Sequence, residues 1–507
     1  MVQIGKDFFT AENFHKVVFA NEPVTLSAEV ISIVEKSNQF LKQFSEGKII
    51  YGINTGLGPM AQFRVEASQQ VALQKNLIRS HAAGIGEHQS NAFVKGAMLN
   101  RLVVFSKGLS GVSLETLETL VTFINNDIIP VVSKHGGVGA SGDLVQLAQI
   151  ALCLIGEGEV YYEGRLEKTA EVLNRLKLKP LNIDQREGLA LINGTSFMSS
   201  VGLINVLQAK RALKQATLNG CLLNELTEAF DDYFSVELNR AKAHKNQLAI
   251  AENIREVLKG SKLIKHRQDE YYNGVPEEKE FSKKVQEYYS LRCLPQILGA
   301  IHKTIFDAEE VLIDEINSVS DNPIVDVDAQ HIFHGGNFHG DFIGAEMSKL
   351  KNAMIKLTVL TERQHNFLLN HKLNDIFPPF LNAGTLGLTL GLQGAQYAAT
   401  STTAESQTLS ASAYVHSIPS NNDNQDVVSM GTNEALLTHK VIDNFFDVNS
   451  VMSLAIHQAS ILKNKNELLA EKTANHLALL SKAAPFIKED AEIRPILERI
   501  KNLLSEL

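Results

Sequence analysis

Residues 135–144 read His135-Gly-Gly-Val-Gly-Ala-Ser-Gly-Asp-Leu144, with four glycines around an Ala-Ser-Gly core. The stretch lies between a short apolar run, 128–132, and an apolar-periodic segment, 144–155. Glycine adopts backbone angles that are costly for other residues, so this composition predicts a tight turn. Ser141 and Asp143 are residue types that favour helix starts. We therefore expect the turn to lead into a helix whose first residues include them.

One interpretation of this stretch is a nucleotide-binding loop. Gly137-Val-Gly-Ala-Ser-Gly142 matches the pattern G-x-G-x-x-G, follows a possible strand and opens a predicted helix. A dinucleotide-binding fold also requires repeated strand–helix units and an acidic residue about 20 positions further on. Glu159 meets the second requirement, but the chain continues without a pattern of alternating strands and helices. The nucleotide loop therefore stays an alternative that the surrounding sequence disfavours.

The Ala140-Ser141-Gly142 core also permits a different chemistry. If the Gly142 nitrogen attacks the Ala140 carbonyl and water is lost, Ser141 becomes a dehydroalanine within a methylidene-imidazolone, an electrophile. Here the sequence resembles the aromatic amino acid ammonia-lyase family of histidine, phenylalanine and tyrosine lyases, whose hallmark Gly-Ala-Ser-Gly-Asp-Leu is present at 139–144. The resemblance implies a 4-methylidene-imidazole-5-one group formed autocatalytically from these three residues. It also implies that neither a metal nor a diffusible cofactor is needed.

Two upstream stretches extend the resemblance. Tyr51-Gly-Ile-Asn-Thr-Gly-Leu-Gly-Pro59 has three glycines and a proline, which predicts an irregular loop. The family has the same motif, and the resemblance implies that Tyr51 removes the substrate's β-proton and that Gly58 lies at the substrate site. Ser80 and His81 end a predicted helix at positions that surround the substrate ring in the family. A histidine there suits a polar ring, whether imidazole or phenol.

Two central stretches also match the family. The segment 187–196 contains Asn193, which the resemblance places against the prosthetic carbonyl or the substrate carboxylate. The segment 286–296 contains Tyr289 and Arg292, which stand three apart and therefore share one face of a helix. Arginine is a natural bidentate partner for a carboxylate. The resemblance implies that Arg292 binds the substrate carboxylate while Tyr289, with Asn193, stabilises developing charge.

Two further motifs follow in the order found in the family. Ser320-Asp-Asn-Pro323 supplies Asn322, which the resemblance implies orients the carboxylate or the prosthetic group. Gly335-Gly-Asn-Phe-His-Gly340 supplies Phe338, which forms a wall of the pocket in that family. These matches lie far from Ser141 along the chain, and a dinucleotide-binding enzyme would not supply them.

The segment 420–431 bears on the choice of substrate. Histidine lyases usually carry Glu at the position of Gln425 and His at that of Val427, whereas Asn-Gln-Asp around Gln425 is the phenylalanine and tyrosine form. Phenylalanine lyases tend to carry Glu where this chain has Asn421, and an apolar pair where it has Ser80-His81. We therefore predict tyrosine ammonia-lyase activity, giving trans-4-coumarate. Histidine is the second choice and phenylalanine the third, and a tyrosine aminomutase shares all these motifs.

Composition limits the remaining classes of function. The 507 residues carry a formal net charge of −9, and 44% of them are hydrophobic. These values are typical of a globular protein and argue against a nucleic-acid or anionic-membrane partner. The three cysteines are widely spaced and form no metal-ligand pattern, which favours a reducing compartment. The N-terminus lacks the pattern of a secretory signal, so we expect a cytoplasmic protein.

The apolar pattern predicts a mainly α-helical fold. In 206–223 and 343–357, apolar or small residues recur at spacings of three and four, which is typical of helix-bundle seams. We expect an N-terminal domain, 1–200, that carries the prosthetic-group loop, and a helical bundle domain, 201–507. The resemblance further implies a homotetramer in which each active site is built from three chains.

Overall fold

The computed structural model describes residues 1–5, 7–274, 279–281 and 284–506, and these contain twenty α-helices. In chain order the helices are α1 (Ala11–Val18), α2 (Ala28–Ser45), α3 (Gln70–His81), α4 (Asn91–Ser106), α5 (Leu114–Asn125), α6 (Leu144–Leu154), α7 (Thr169–Leu176), α8 (Glu187–Ile192), α9 (Ser196–Leu226), α10 (Val236–Arg240), α11 (Lys245–Leu258), α12 (Arg267–Tyr271), α13 (Tyr289–Arg292), α14 (Leu294–Asn317), α15 (Asp341–Leu369), α16 (His371–Asn374), α17 (Gln393–Thr408), α18 (Gly431–Lys463), α19 (Glu471–Leu480) and α20 (Arg494–Ser505). The prediction of a mainly α-helical fold is confirmed, and the two apolar seams lie in α9 and α15. In the described part of the chain, no helix combines the length and the apolar character needed to cross a membrane.

The strands are short and form four small sheets in the described residues. They are β1 (Val2–Ile4), β2 (Val24–Leu26), β3 (Ile85–His88), β4 (Ile129–Pro130), β5 (Ser133–His135), β6 (Glu159–Tyr162), β7 (Arg165–Lys168), β8 (Ile324–Asp326) and β9 (His331–Phe333). Only β1 and β2 pair in parallel, and the largest of these sheets, β4-β6-β7, has three antiparallel strands. A dinucleotide-binding fold needs a parallel sheet of alternating strand–helix units. The nucleotide-loop alternative is therefore wrong.

The first compact unit comprises residues 1–205, 308–348 and 412–437. Helix α4 forms its centre, because every residue from Phe93 to Ser106 is buried. Helix α5 packs against α4, while α3, α6 and α8 pack against one another. Because three separate segments of chain contribute to this unit, motifs that are hundreds of residues apart in sequence belong to the same core.

The second compact unit comprises residues 206–307, 349–411 and 438–507. Helices α11 and α19 pack together in it, and buried polar side chains bind its loops. Gln458, for example, is 1% exposed, accepts a hydrogen bond from the Ile487 nitrogen (3.0 Å) and donates one to the Ile487 carbonyl (2.7 Å). The division into domains 1–200 and 201–507 stays a prediction.

Candidate active site

A cavity of about 900 Å³ in the first unit gathers most of the predicted site residues. Those that line it are Tyr51, Gly58, Ser80, His81, Ser141, Asn193, Asn322, Phe338, Asn421 and Gln425. Apolar side chains from the same unit, among them Leu57, Leu77 and Leu144, form much of the remaining wall. The cavity is therefore shaped to hold a largely apolar ligand that presents a few polar groups.

The Ala-Ser-Gly loop is held by close backbone contacts on both sides. Gly142 has a left-handed backbone (φ +72°), and a Cβ atom there would overlap the Gly194 carbonyl. The Asp143 nitrogen donates to that same carbonyl (2.8 Å). On the other side, the Gly139 carbonyl accepts from the Ser429 hydroxyl (3.0 Å) and from the Gly340 nitrogen (3.2 Å). Only glycine satisfies both the backbone angle and the space at position 142.

Ser141 presents its hydroxyl to the cavity and to Gln425. The Gln425 side-chain nitrogen donates to the Ser141 oxygen (2.9 Å), and the Gln425 oxygen accepts from the Ser420 hydroxyl (2.9 Å). The three residues expected to form the prosthetic group fit that role. Ala140 is small and buried, Gly142 has no side chain to block closure, and Ser141 faces the space where a substrate would lie.

The loop enters its helix differently from the sequence prediction. Helix α6 begins at Leu144, so Ser141 and Asp143 precede it, and the Asp143 side chain makes no capping bond to α6. Its carboxylate instead accepts from the Phe197 and Met198 nitrogens (both 2.9 Å) at the start of α9. The prediction that the first helical residues include Ser141 and Asp143 is therefore wrong, because the carboxylate is used by another helix.

Asp143 is fully buried and accepts a third hydrogen bond, from the Thr432 hydroxyl (2.5 Å). Burial raises the pKa of this carboxyl to about 7, and the bonds from Thr432, Met198 and Phe197 oppose that shift. Thr432 lies 289 residues further along the chain. Asp143 thus ties the Ala-Ser-Gly loop to two long helices.

Tyr51 lies in an irregular loop that ends in a short 3-10 turn, Gly58–Met60. The Gly58 nitrogen donates to the Tyr51 hydroxyl oxygen (3.1 Å), which fixes the oxygen within the cavity wall. Gly58 itself has φ +53°, and a Cβ atom there would lie 2.7 Å from the Asn421 side-chain nitrogen. Gly58 therefore acts through its backbone and through the close approach it allows to Asn421.

Asn193 follows the last residue of α8 and is the C-cap of that helix. Its side-chain nitrogen donates to the Asn322 carbonyl (3.0 Å), and the Asn322 side-chain oxygen accepts from the Gly335 nitrogen (2.9 Å). Sequence reasoning missed the residue that holds this helix end: Arg101, from α4, donates to the Asn193 carbonyl (2.8 Å) and also to the Ala190 carbonyl. In the sequence, the only signal that could have identified Arg101 is its charge within a very apolar helix.

Arg101 belongs to a buried group of charges beneath Asn193. Asp321 accepts from Arg186 (2.8 Å) and lies 3.7 Å from Arg101, and all three side chains are at most 2% exposed. Burial lowers the pKa of Arg101 to about 10, and the charge of Asp321 opposes that shift. A guanidinium stays charged at that value, so the cluster supplies fixed positive charge below the site.

Ser80 and His81 lie at the end of α3. The His81 Nδ1 atom lies 3.0 Å from both the Leu77 carbonyl and the Ser80 hydroxyl, and that hydroxyl donates to the same carbonyl (3.1 Å). With the Ser80 hydroxyl donating to the Leu77 carbonyl, the neutral His81 tautomer that also bonds this carbonyl is the one with its proton on Nδ1. The other ring nitrogen, Nε2, is then an acceptor.

Tyr289 and Arg292 belong to the second unit and lie together on α13. The Arg292 guanidinium lies 4.8 Å from the centre of the Tyr289 ring, and its Nε atom donates to the Glu287 carbonyl (2.9 Å). Tyr289 is 70% exposed in the single chain. The structure therefore brings these two residues to each other, and their part in the site stays a prediction.

Comparisons with known proteins agree on one family. The model of the aromatic amino acid lyase family matches residues 9–482. A histidine ammonia-lyase of Caldanaerobacter subterraneus subsp. tengcongensis is 38% identical over 90% of this chain and 87% of its own. An MIO-dependent tyrosine 2,3-aminomutase of Streptomyces globisporus is 36% identical over 99% of this chain and 95% of its own.

A solved structure extends the agreement to the fold. The tyrosine aminomutase of Streptomyces globisporus superposes with a TM-score of 0.95, at 35% identity, over 99% of this chain and 96% of that one. The relatives named for histidine elimination or tyrosine aminomutation favour those two alternatives over the tyrosine ammonia-lyase predicted from the sequence. The match to the family model and the histidine ammonia-lyase relatives show that the chain is a carbon–nitrogen lyase and belongs to the aromatic amino acid lyase family.

Proposed function

We propose that this protein eliminates ammonia from L-tyrosine to give trans-4-coumarate. The observation that carries the proposal is that one cavity holds three predicted groups: Ser141 of the tripeptide, the Tyr51 hydroxyl and the His81 ring. A base and an electrophile precursor that share a cavity suit elimination, and the ring acceptor suits a phenol. This proposal goes further than the family assignment, which leaves the substrate open.

The roles follow from the chemistry of each side chain. Once formed from Ala140, Ser141 and Gly142, the prosthetic group supplies an electrophile that draws electrons from the substrate. Tyr51 acts as the phenolate: its oxygen takes the β-proton and becomes the neutral hydroxyl, and the Gly58 nitrogen holds that oxygen in place (3.1 Å). A positioned proton acceptor contributes about 10²–10⁴-fold to such a reaction. Asn193 lies at the same cavity and orients the reacting centre.

The substrate carboxylate needs a cation. Arg292 provides one in a form suited to bidentate binding, and Tyr289 lies against it. We propose that both reach the cavity from neighbouring copies in a homotetramer, as the family resemblance implies. The exposure of Tyr289 in the single chain supports this arrangement.

Ring recognition rests on His81. Its Nε2 atom accepts a hydrogen bond from the phenol hydroxyl of tyrosine, while Nδ1 donates to the Leu77 carbonyl. Phenylalanine would leave that acceptor unpaired, and an unpaired buried polar group costs about 1–3 kcal/mol, or roughly 10–100-fold in kcat/KM. Gln425 is neutral and bonded to Ser141 and Ser420, so it offers no negative charge to an imidazole ring.

Two other outcomes have specific support. Histidine elimination is favoured by the 38% identical relative named for it, and an imidazole N–H would also suit an acceptor at His81. Tyrosine aminomutation, in which ammonia returns to the β-carbon, is favoured by the relatives named for that reaction. Both outcomes use the same tripeptide and the same base.

Three amino acids tested separately distinguish these outcomes. We expect kcat/KM for L-tyrosine to exceed that for L-histidine and L-phenylalanine, with ammonium and coumarate formed in equal amounts. Higher kcat/KM for histidine, with urocanate formed, contradicts the proposed substrate, and a β-amino acid without ammonium indicates a mutase.

The prosthetic group is tested by intact mass. The native chain should be lighter than its sequence by two water molecules, and Ser141→Ala should lose both this deficit and the activity. A native chain of full sequence mass would remove the basis of the proposed reaction.

A further inference from the structure

Gln74 is a fully buried polar side chain in α3, and the sequence analysis did not single it out. Its nitrogen donates to the Gly52 carbonyl (2.8 Å), and its oxygen accepts from the Leu189 nitrogen (2.8 Å). One amide thus uses both ends to bind the backbones of two other elements, the loop of Tyr51 and helix α8.

Glycines bring these three elements unusually close. Gly52 has φ +74°, and a Cβ atom there would overlap the Leu189 side chain. A Cβ atom at Gly188 would lie 2.6 Å from the Gln74 carbonyl. The loop, α3 and α8 therefore meet with little room for adjustment, and the Gln74 amide sits where they meet.

The two bonds of Gln74 lead directly to residues of the site. Gly52 follows Tyr51 in sequence, so the bond to the Gly52 carbonyl holds the backbone one residue after the base. Leu189 is in the first turn of α8, where backbone N–H groups have no partner within the helix, and Gln74 supplies one. The Leu189 carbonyl in turn accepts from the Asn193 nitrogen (3.0 Å).

We propose that Gln74 is a positioning residue that sets Tyr51 relative to Asn193, an inference that rests on the proposed elimination. Gln74 is not among the residues that line the cavity. Its effect on the reaction comes from geometry. A displacement of about 1 Å in a proton acceptor costs on the order of 10²-fold in rate.

The test compares Gln74→Met with a matched control, Gln458→Met. Methionine is close to glutamine in size and makes neither bond. Gln458 is also a buried glutamine bonded to backbone at both ends, in the second unit. We expect both variants to lower the unfolding temperature, while only Gln74→Met lowers kcat on L-tyrosine, by about 10²-fold, with a much smaller change in KM. The mass deficit of two waters should persist in both.

A double-mutant cycle with Tyr51→Phe isolates the positioning role. If Gln74 acts through Tyr51, adding Gln74→Met to Tyr51→Phe should cause no further loss of kcat. Should Gln74→Met fail to fold, Gln74→Glu serves instead, because ionised glutamate still accepts from Leu189 but cannot donate to Gly52. Its kcat is expected to fall while the mass deficit persists.

Three results would overturn the inference: wild-type kcat in the Gln74 variants, losses that multiply in the cycle, or loss of the mass deficit together with activity in the Gln74 variants. The last result would assign Gln74 to formation of the prosthetic group. Failure of the proposed function looks different, because wild-type protein itself would then lack the mass deficit or leave all three amino acids unchanged.

Discussion

In the proposed function, one ring nitrogen of His81 sets the preference for tyrosine. Replacing it with leucine leaves the phenol of bound tyrosine without an acceptor, and an unpaired buried polar group costs about 1–3 kcal/mol. We predict that His81→Leu lowers kcat/KM for L-tyrosine by roughly 10–100-fold and does not lower it for L-phenylalanine. Steady-state kinetics on both substrates measures the difference. An equal loss on both would show that His81 supports the fold of the pocket instead.

His365 predicts a dependence of stability on pH. It is fully buried, neither ring nitrogen has a hydrogen-bond partner in the described residues, and burial, with the nearby Arg363 charge, lowers its pKa to about 3. Between about pH 3 and the unfolded pKa of 6.5, His365 binds a proton in the unfolded chain but not in the folded chain. The contribution of His365 is therefore complete above pH 6.5 and is lost as pH falls towards 3.

The corresponding variant is His365→Leu. Each pH unit in that window is worth at most about 1.4 kcal/mol, so going from pH 7.5 to pH 5 should destabilise wild type relative to the variant by about 2 kcal/mol. Urea unfolding of both proteins at pH 7.5 and pH 5 gives the comparison. Parallel pH profiles for the two proteins would mean that His365 takes up its proton in the folded state.

Contacts between elements constrain the chain in addition to backbone strain. A comparison of Gly52 with Gly164 separates these two effects. Both have left-handed backbones (φ +74° and +73°), but a Cβ atom at Gly164, in the turn between β6 and β7, meets nothing within 4 Å. We predict that Gly164→Ala costs only about 1–2 kcal/mol of backbone strain and leaves kcat unchanged. Gly52→Ala adds the overlap with Leu189, so stability should fall further, and kcat on the order of 10²-fold.

Thermal unfolding and kcat of the two alanine variants test this pair. Their difference isolates the contact between loop and α8, because the backbone strain is common to both. A Gly52→Ala protein as active as Gly164→Ala would show that Leu189 moves aside without displacing Tyr51.

Helices such as α6 could be predicted from the sequence, whereas several hydrogen bonds between elements could not. The segment 144–155 predicted a helix and is α6, Leu144–Leu154. The partners of Asp143 could not be predicted, because its carboxylate binds backbone groups in α9 and a hydroxyl 289 residues away. Gln74 and Arg101 bind backbone carbonyls or amides, which every residue carries, so no sequence pattern marks their targets.

For the protein as a whole, the motifs name residues that the structure brings to one cavity, whereas apolar periodicity does not mark how the chain divides into compact units. Ten predicted residues from positions 51 to 425 line one cavity. They could be named from the sequence because each belongs to a short motif whose residue types suit one chemical role. The compact units are built from three segments each, and the apolar periodicity within a long helix gives no sign of which unit its residues join.

Assembly gives a final prediction. If Ser141 and Arg292 of one active site come from different copies, two inactive variants can restore each other. We expect Ser141→Ala and Arg292→Met to be inactive alone, and their co-expression to yield hybrid tetramers with measurable activity on L-tyrosine. Light scattering establishes the number of subunits. Hybrids without activity would contradict a site shared between chains.

The bond between Gln425 and Ser141 also has a consequence for synthesis of the chain. These residues are 284 positions apart, and ribosomes add about 5–20 residues per second. Ser141 is therefore added to the chain roughly 15–60 s before Gln425. During that interval the nascent tripeptide has no contact with the 412–437 segment that completes its unit. Any chemistry that depends on this contact begins only when translation has passed residue 425.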